Sequence, residues 1–268
     1  MTVRTPADQL PPGAVLLDVR WQLGRTDGRE QYLAGHLPGA VFVDLPTELS
    51  AGPSPTEGRH PLPSLQALQS AARRWGVSAR TPVVVYDASG GLAAARAWWL
   101  MRWGGHADVT ILDGGLGAWT GPLETGNVVP PPGDVTLTGG GMPVLTADEA
   151  AAVPATGGVL LDARAGERFR GEVEPVDPRA GHVPGAVSAP TTDNLDDAGR
   201  FATAAVLADR FARLGVQPGT PVGVYCGSGV TAAHEVAALA EAGIEAALWP
   251  GSWSQWSADP DRPIATGP

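Results

Sequence analysis

Lysine is absent from this 268-residue chain, so all 18 basic residues are arginines. No lysine can contribute to a site, and recognition of an anion by a side-chain cation falls to guanidinium groups. Basic residues are also outnumbered: the formal charge is −10 and the sequence pI is near 4.9. A chain so acidic has no basic face for nucleic acid. Cysteine is nearly absent too, with one in the whole chain, which excludes an internal disulfide. No Cys/His cluster has the spacing of a zinc site, so neither a metal nor an organic cofactor is expected. Long apolar runs are missing: nothing approaches the ~18 residues of a membrane span. Met1-Thr2-Val3-Arg4 does not open an apolar leader segment, so a cytoplasmic chain without a membrane partner is expected. What remains is a soluble composition, 43% hydrophobic with mean hydropathy near zero, long enough for two ordinary domains.

The single cysteine lies in Pro221-Val222-Gly223-Val224-Tyr225-Cys226-Gly227-Ser228-Gly229-Val230-Thr231. A β-branched run ends at Tyr225, glycines follow, and an alanine-rich helical pattern starts at Thr231. That spacing puts Cys226 where a strand gives way to a helix N-terminus. Unpaired amides and the positive end of the helix dipole at such a point favour a thiolate over a thiol. A buried core cysteine is the alternative, but a core position does not call for two glycines within three residues.

The sequence repeats itself. Leu16-Leu17-Asp18-Val19-Arg20 recurs as Leu160-Leu161-Asp162-Ala163-Arg164, and Gly35-His36-Leu37-Pro38-Gly39-Ala40 as Gly181-His182-Val183-Pro184-Gly185-Ala186. Pro82-Val83-Val84-Val85-Tyr86-Asp87 recurs as Pro221 to Cys226, and Asp113 to Trp119 answers Pro250 to Trp256. Four matches in one order mean two copies of one domain. The expected division is residues 1–122, a linker over 123–142 that holds Pro130-Pro131-Pro132-Gly133 and Gly139-Gly140-Gly141, and residues 143–268. Strand patterns at 15–19, 83–86, 109–112, 159–163, 222–225 and 246–249 alternate with helical patterns at 65–75, 93–103, 202–214 and 231–242. This alternation predicts an α/β fold with a mostly parallel sheet covered by helices in each copy. In such sheets ligands bind beyond the carboxyl ends of the strands, where Cys226 falls. The tryptophans at 98, 99 and 103 read as core; those at 249, 253 and 256 read as core or as a wall of the site.

The Asp-Ala-Arg and Gly-His-Val-Pro-Gly-Ala pair, followed by a cysteine loop that opens a helix, resembles the rhodanese superfamily, specifically its two-domain sulfurtransferases. The resemblance covers nearly the whole chain and implies tandem rhodanese-like domains, the first non-catalytic. Asp87 stands at the cysteine position of that first copy. The loop of Cys226, Gly227, Ser228, Gly229, Val230 and Thr231 is similar to that of 3-mercaptopyruvate sulfurtransferases. Thiosulfate-specific members place Arg and Lys directly after the cysteine, as two cations suit a compact dianion; here Gly227 and Ser228 are uncharged.

The resemblance implies that Arg168 and Arg179 bind the substrate carboxylate, although the segment before Gly181 is shorter than the family pattern. A solvated surface pair is the other reading of each. It further implies that His60, in Gly58-Arg59-His60-Pro61, reaches across from the first copy toward the substrate, an exposed loop histidine being the other reading; Ser228, by its own chemistry, lends a hydroxyl to sulfur or merely suits a turn. The family's acidic residue near Asp44 is replaced by Pro46, which departs from a full Ser-His-Asp arrangement. His36, His182, Asp18 and Asp162 occur in both copies and read as structural. The implied activity is transfer of sulfur from 3-mercaptopyruvate through a Cys226 persulfide to a thiol acceptor such as thioredoxin, or to cyanide. Thiosulfate as donor, and a persulfide carrier or regulatory module, stand as alternatives. A cysteine phosphatase with Cys-x5-Arg chemistry is disfavoured, because Ala232 holds the arginine position.

Overall fold

The structure, a computed structural model, describes residues 2–268. Among these described residues nine strands build two sheets. In the first repeat β1 (Arg4–Thr5), β2 (Val15–Asp18), β3 (Val41–Phe42), β4 (Val83–Tyr86) and β5 (Val109–Leu112) lie in the order β1-β5-β4-β2-β3. In the second, β6 (Val159–Asp162), β7 (Val187–Ser188), β8 (Val222–Tyr225) and β9 (Ala247–Leu248) lie in the order β7-β6-β8-β9. Every pairing is parallel. The central strands β4 and β8 are buried along their whole length, which is why they read as unbroken apolar runs rather than as alternating ones.

The helices are α1 (Gly28–Ala34), α2 (Leu45–Glu48), α3 (Leu65–Arg74) and α4 (Ala94–Trp103) in the first repeat. The second repeat has α5 (Ala147–Ala152), α6 (Gly166–Phe169), α7 (Ala204–Arg213), α8 (Thr231–Glu241) and α9 (Ser252–Ala258). Side-chain caps fix where several begin: Ser64 accepts from the Ala67 amide, Thr203 from Val206, and Thr146 forms a capping box with Glu149. Sheet and helix pack as the alternating pattern predicts, and Trp98, Trp99, Trp249, Trp253 and Trp256 are all buried. The last three belong to the core of the second repeat and do not wall an open site.

The two duplicated signatures are one physical unit. In each repeat the arginine after the strand forks onto its own aspartate, Arg20 onto Asp18 and Arg164 onto Asp162. The same guanidinium then donates to the glycine carbonyl that opens the Gly-His turn, Gly35 at 2.5 Å and Gly181 at 2.7 Å. His36 and His182 bond a backbone carbonyl and stack on Tyr32 and Phe169. Both motifs are therefore structural.

The glycine- and proline-rich stretch between the repeats is not a slack connector. The Gly133 amide donates to Arg73, Val135 to Val77 and Gly141 to Trp103, while the side chains of Val135 and Leu137 are buried in the core. The repeats then meet through α4 and α8, which pack against each other along alanine-rich faces. Small residues let the two backbones approach, so the loop before each helix faces the other repeat.

Candidate active site

Cys226 follows β8 directly and is 1% exposed. Its loop is held from outside by α9: the Trp253 amide donates to the Cys226 carbonyl and the Ser254 amide to the Gly227 carbonyl, both at 2.9 Å. Ser252 accepts the Cys226 amide at 3.2 Å and adopts φ 53°, a strained value for a residue with a side chain. Gly229 has φ 76°, and a Cβ there would meet the Pro250 carbonyl oxygen at 2.5 Å, so only glycine fits. With the loop carbonyls tied outward, its amides turn inward. The Gly229 amide donates to Cys226 Sγ at 3.2 Å, and the amides of Ser228, Val230, Thr231 and Ala232 have no backbone acceptor among the described residues. This is a nest for negative charge at the head of α8.

The first repeat shows what such a loop holds. Asp87, at the cysteine position, accepts from the amides of Ser89, Gly91, Ala93 and Ala94 at 2.8 to 2.9 Å. There the loop is closed by its own carboxylate. In the second repeat the acceptor is sulfur, and the loop opens into a cleft of about 230 Å3 lined from both repeats, by Trp21, Leu23 and Arg59 on one side and Arg168, Cys226 and Gly227 on the other.

His60 stands behind Ser228, which lines this cleft. Its Nδ1 pairs with Ser228 Oγ at 2.8 Å, and its ring meets the edge of Trp21. Burial, aided by the charges of Arg96 and Arg59, pushes the imidazole down to about 4, so it is neutral at physiological pH. Among the described residues no carboxylate bonds the ring. The arrangement is a Ser-His pair without a third member, as Pro46 implied.

Two guanidinium groups converge beside the loop. A Cβ placed on Gly227 would lie 3.0 Å from Arg59 Nη2 and 3.5 Å from Arg168 Nη1. Their other ends are fixed by Asp177, which takes Arg59 Nη1 on Oδ1 and Arg168 Nη2 on Oδ2; Arg168 Nη2 also donates to Glu174 at 2.7 Å. Burial raises the Asp177 carboxyl, and the neighbouring Arg59 works the other way. Nε of both arginines is buried without a partner. Each guanidinium is thus aligned by a carboxylate behind it while it keeps N–H groups for an anion in the cleft.

Arg179 does not join them. It donates to the carbonyls of Trp256, Ser257, Asp259, Pro260 and Arg262, and so caps the C-terminal end of α9. Five carbonyls at and just beyond the end of the helix take up its whole fork. The second cation beside Gly227 is instead Arg59, which the sequence reading passed over. Its only signal was adjacency to His60. Both are delivered by one loop, in which the Arg59 amide bonds Ser254 Oγ at 3.0 Å and a Cβ on Gly58 would strike the Gly251 carbonyl oxygen at 2.6 Å. Asp177 was missed because it acts through two arginines that lie far apart in sequence.

The family model of the rhodanese-like domain matches the chain twice, over residues 6–122 and 146–259. SseB of Mycobacterium tuberculosis, provisionally described as a thiosulfate sulfurtransferase, is 52% identical over 94% of this chain and 90% of its own. A Pseudomonas aeruginosa protein provisionally described as a 3-mercaptopyruvate sulfurtransferase is 46% identical over 96% of this chain and 93% of its own. Among solved structures, SseA from Escherichia coli, a 3-mercaptopyruvate sulfurtransferase, superposes with a TM-score of 0.82 at 35% identity, covering 95% of this chain and 100% of its own.

Proposed function

The chain belongs to the rhodanese-like family and is a sulfurtransferase, and from that premise we propose that residues 143–268 carry out sulfur transfer from 3-mercaptopyruvate at Cys226, with residues 1–122 as a non-catalytic partner domain and 123–142 as the strap between them. The observation that carries this reading is the pairing of an amide nest at Cys226 with two guanidiniums, one from each repeat, beside Gly227.

Arg168 Nη1 and Arg59 Nη2 bind the substrate carboxylate and bring its sulfur over Cys226. The Cys226 thiolate attacks that sulfur, an S–S bond forms, and the C–S bond of the substrate breaks with its electron pair on carbon. The product is the enolate of pyruvate. The proton of the substrate thiol passes by way of the Ser228 hydroxyl, which His60 holds, to the enolate carbon, and Cys226 is left as a persulfide. Loop amides from Gly227 to Thr231 hold its charge. A thiol acceptor attacks the outer sulfur, leaves as the persulfide and restores the Cys226 thiolate; a reduced thioredoxin in the cytoplasm suits this step, and cyanide replaces it in an assay.

Charge balance favours this donor over thiosulfate. Arg59 and Arg168 face Asp177 and Glu174, and Arg164 faces Asp162. The arginines lining the cleft are therefore matched by carboxylates, which leaves little net charge for a dianion and enough directed N–H groups for one carboxylate. Intact-mass measurement after mixing with 3-mercaptopyruvate in the absence of an acceptor tests the mechanism. One added sulfur per chain, located at Cys226 and matched by one pyruvate, is expected; release of pyruvate with no mass gain would overturn it.

A further inference from the structure

Helices α4 and α8 reach into each other's repeat at matching positions. Arg96, seven residues before the end of α4, donates from Nη1 to the Gly229 carbonyl at 3.2 Å. His234, seven residues before the end of α8, places Nε2 3.2 Å from the Gly90 carbonyl. Gly90 and Gly229 each lie three residues after the residue that defines their loop, Asp87 and Cys226. The two contacts are one contact, repeated about the approximate symmetry of the tandem domains.

They differ in charge. The Asp87 loop already satisfies its anion with four amides, and it meets a histidine that burial pushes down to about 4, hence neutral. The Cys226 loop meets an arginine. Arg96 is 0% exposed, and its hydrogen bonds all go to carbonyls, of Leu49, His60, Pro61 and Gly229. Among the described residues it is the only buried arginine with no carboxylate partner, a costly state unless an anion is close. Burial lowers Arg96 to about 10, with the neighbouring Cys226 working the other way, so it stays protonated at neutral pH.

We propose that Arg96, from the non-catalytic repeat, is a positioning residue for sulfur transfer: it supplies the fixed charge that balances the Cys226 thiolate and persulfide, and it holds Gly229 with its amide on Sγ. Gly229 links the two effects, because its N–H faces sulfur while its C=O is gripped by Arg96. The grip on the His60 carbonyl also sets the ring that meets Ser228. The other charged groups around Cys226 do not offer a free counter-charge. Arg59 and Arg168 are tied to Asp177 and Glu174, Arg164 to Asp162, and Glu235 on α8 to Arg210. His60 and His234 are neutral. Arg96 thus joins Arg59 and His60 among the side chains that the first repeat brings to the Cys226 loop.

The proposal rests on Cys226 as nucleophile but not on the identity of the donor, and alkylation separates the two. Arg96→His introduces the side chain that the fold already accepts at the equivalent position, and Arg96→Lys keeps the charge. In the full-length protein, the pH midpoint of Cys226 alkylation by iodoacetamide is expected to rise by about one unit in Arg96→His and by less than a third of that in Arg96→Lys. Sulfur transfer should fall at least ~10-fold in kcat for Arg96→His, with KM nearly unchanged. His234→Gln, the matching change at the other loop, should leave the midpoint where it was. If Arg96→His does not fold by circular dichroism, Arg96→Gln takes its place. A folded charge-free variant with an unshifted midpoint would overturn the proposal, as would an Arg96→Lys variant shifted as far as Arg96→His.

Discussion

Replacing Arg59 by methionine keeps the length and apolar volume of the side chain and removes its N–H groups from the cleft. Arg59 Nη2 and Arg168 Nη1 are 3.0 and 3.5 Å from the position a Gly227 Cβ would take, close enough together to share one carboxylate. A hydrogen bond to a charged group contributes about 1.5–3 kcal/mol, or roughly 10- to 150-fold in binding. The Arg59 side chain is 25% exposed, so solvent screening places the loss in the lower part of that range, about 10- to 30-fold. The carboxylate is bound alike before and during the attack on sulfur, so the loss belongs in KM, with kcat within about 3-fold. Steady-state transfer to cyanide with 3-mercaptopyruvate as donor measures both. Arg179→Met is the control, for it should lower the melting temperature by loosening the end of α9 and leave KM alone. A normal KM in Arg59→Met together with a raised KM in Arg179→Met would refute the assignment.

Acid should expose the buried histidine on α8. His234 is lowered to about 4 from an unfolded value near 6.5, so between those values the unfolded chain binds the extra proton. The stability tied to its neutral form is complete above pH 6.5 and is lost as pH falls towards 4. At pH 5.5 the loss is about 1.4 kcal/mol, and urea unfolding at pH 7.5 and 5.5 should show wild type losing that much more than His234→Gln; parallel pH profiles would contradict it. Asp87→Asn replaces an acceptor of four amides by one with a single acceptor oxygen and an NH2 that faces other donors. It should cost about 3 kcal/mol by denaturant titration while Cys226 alkylation is unchanged; an unaltered unfolding midpoint would show that the nest is not held by charge.

The duplicated motifs made the architecture legible in the sequence, because a parallel sheet writes its central strands as apolar runs and its turns as fixed glycines and prolines. Of the four two-residue strands, β9 falls inside the apolar run at 246–249, whereas β1, β3 and β7 were not read, since so short an element shows no periodicity of its own. At the site, Cys226 and its glycines could be read locally, since the strand-loop-helix junction alone creates the amide nest. Arg59, Asp177 and Arg96 could not, because each acts across the interface between the repeats and owes its role to partners more than a hundred residues away. Arg179 shows the opposite error. A motif-matched arginine has its fork filled by the carbonyls it lies against, and in this chain those stand at and beyond the end of α9. The shorter segment before Gly181 was the clue.

Sulfur transfer to cyanide with 3-mercaptopyruvate and thiosulfate side by side, with Cys226→Ser as the blank, tests the central claim most directly. The account predicts a clear preference in kcat/KM for 3-mercaptopyruvate that disappears in the serine variant. A preference for thiosulfate, or equal turnover in Cys226→Ser, would contradict it.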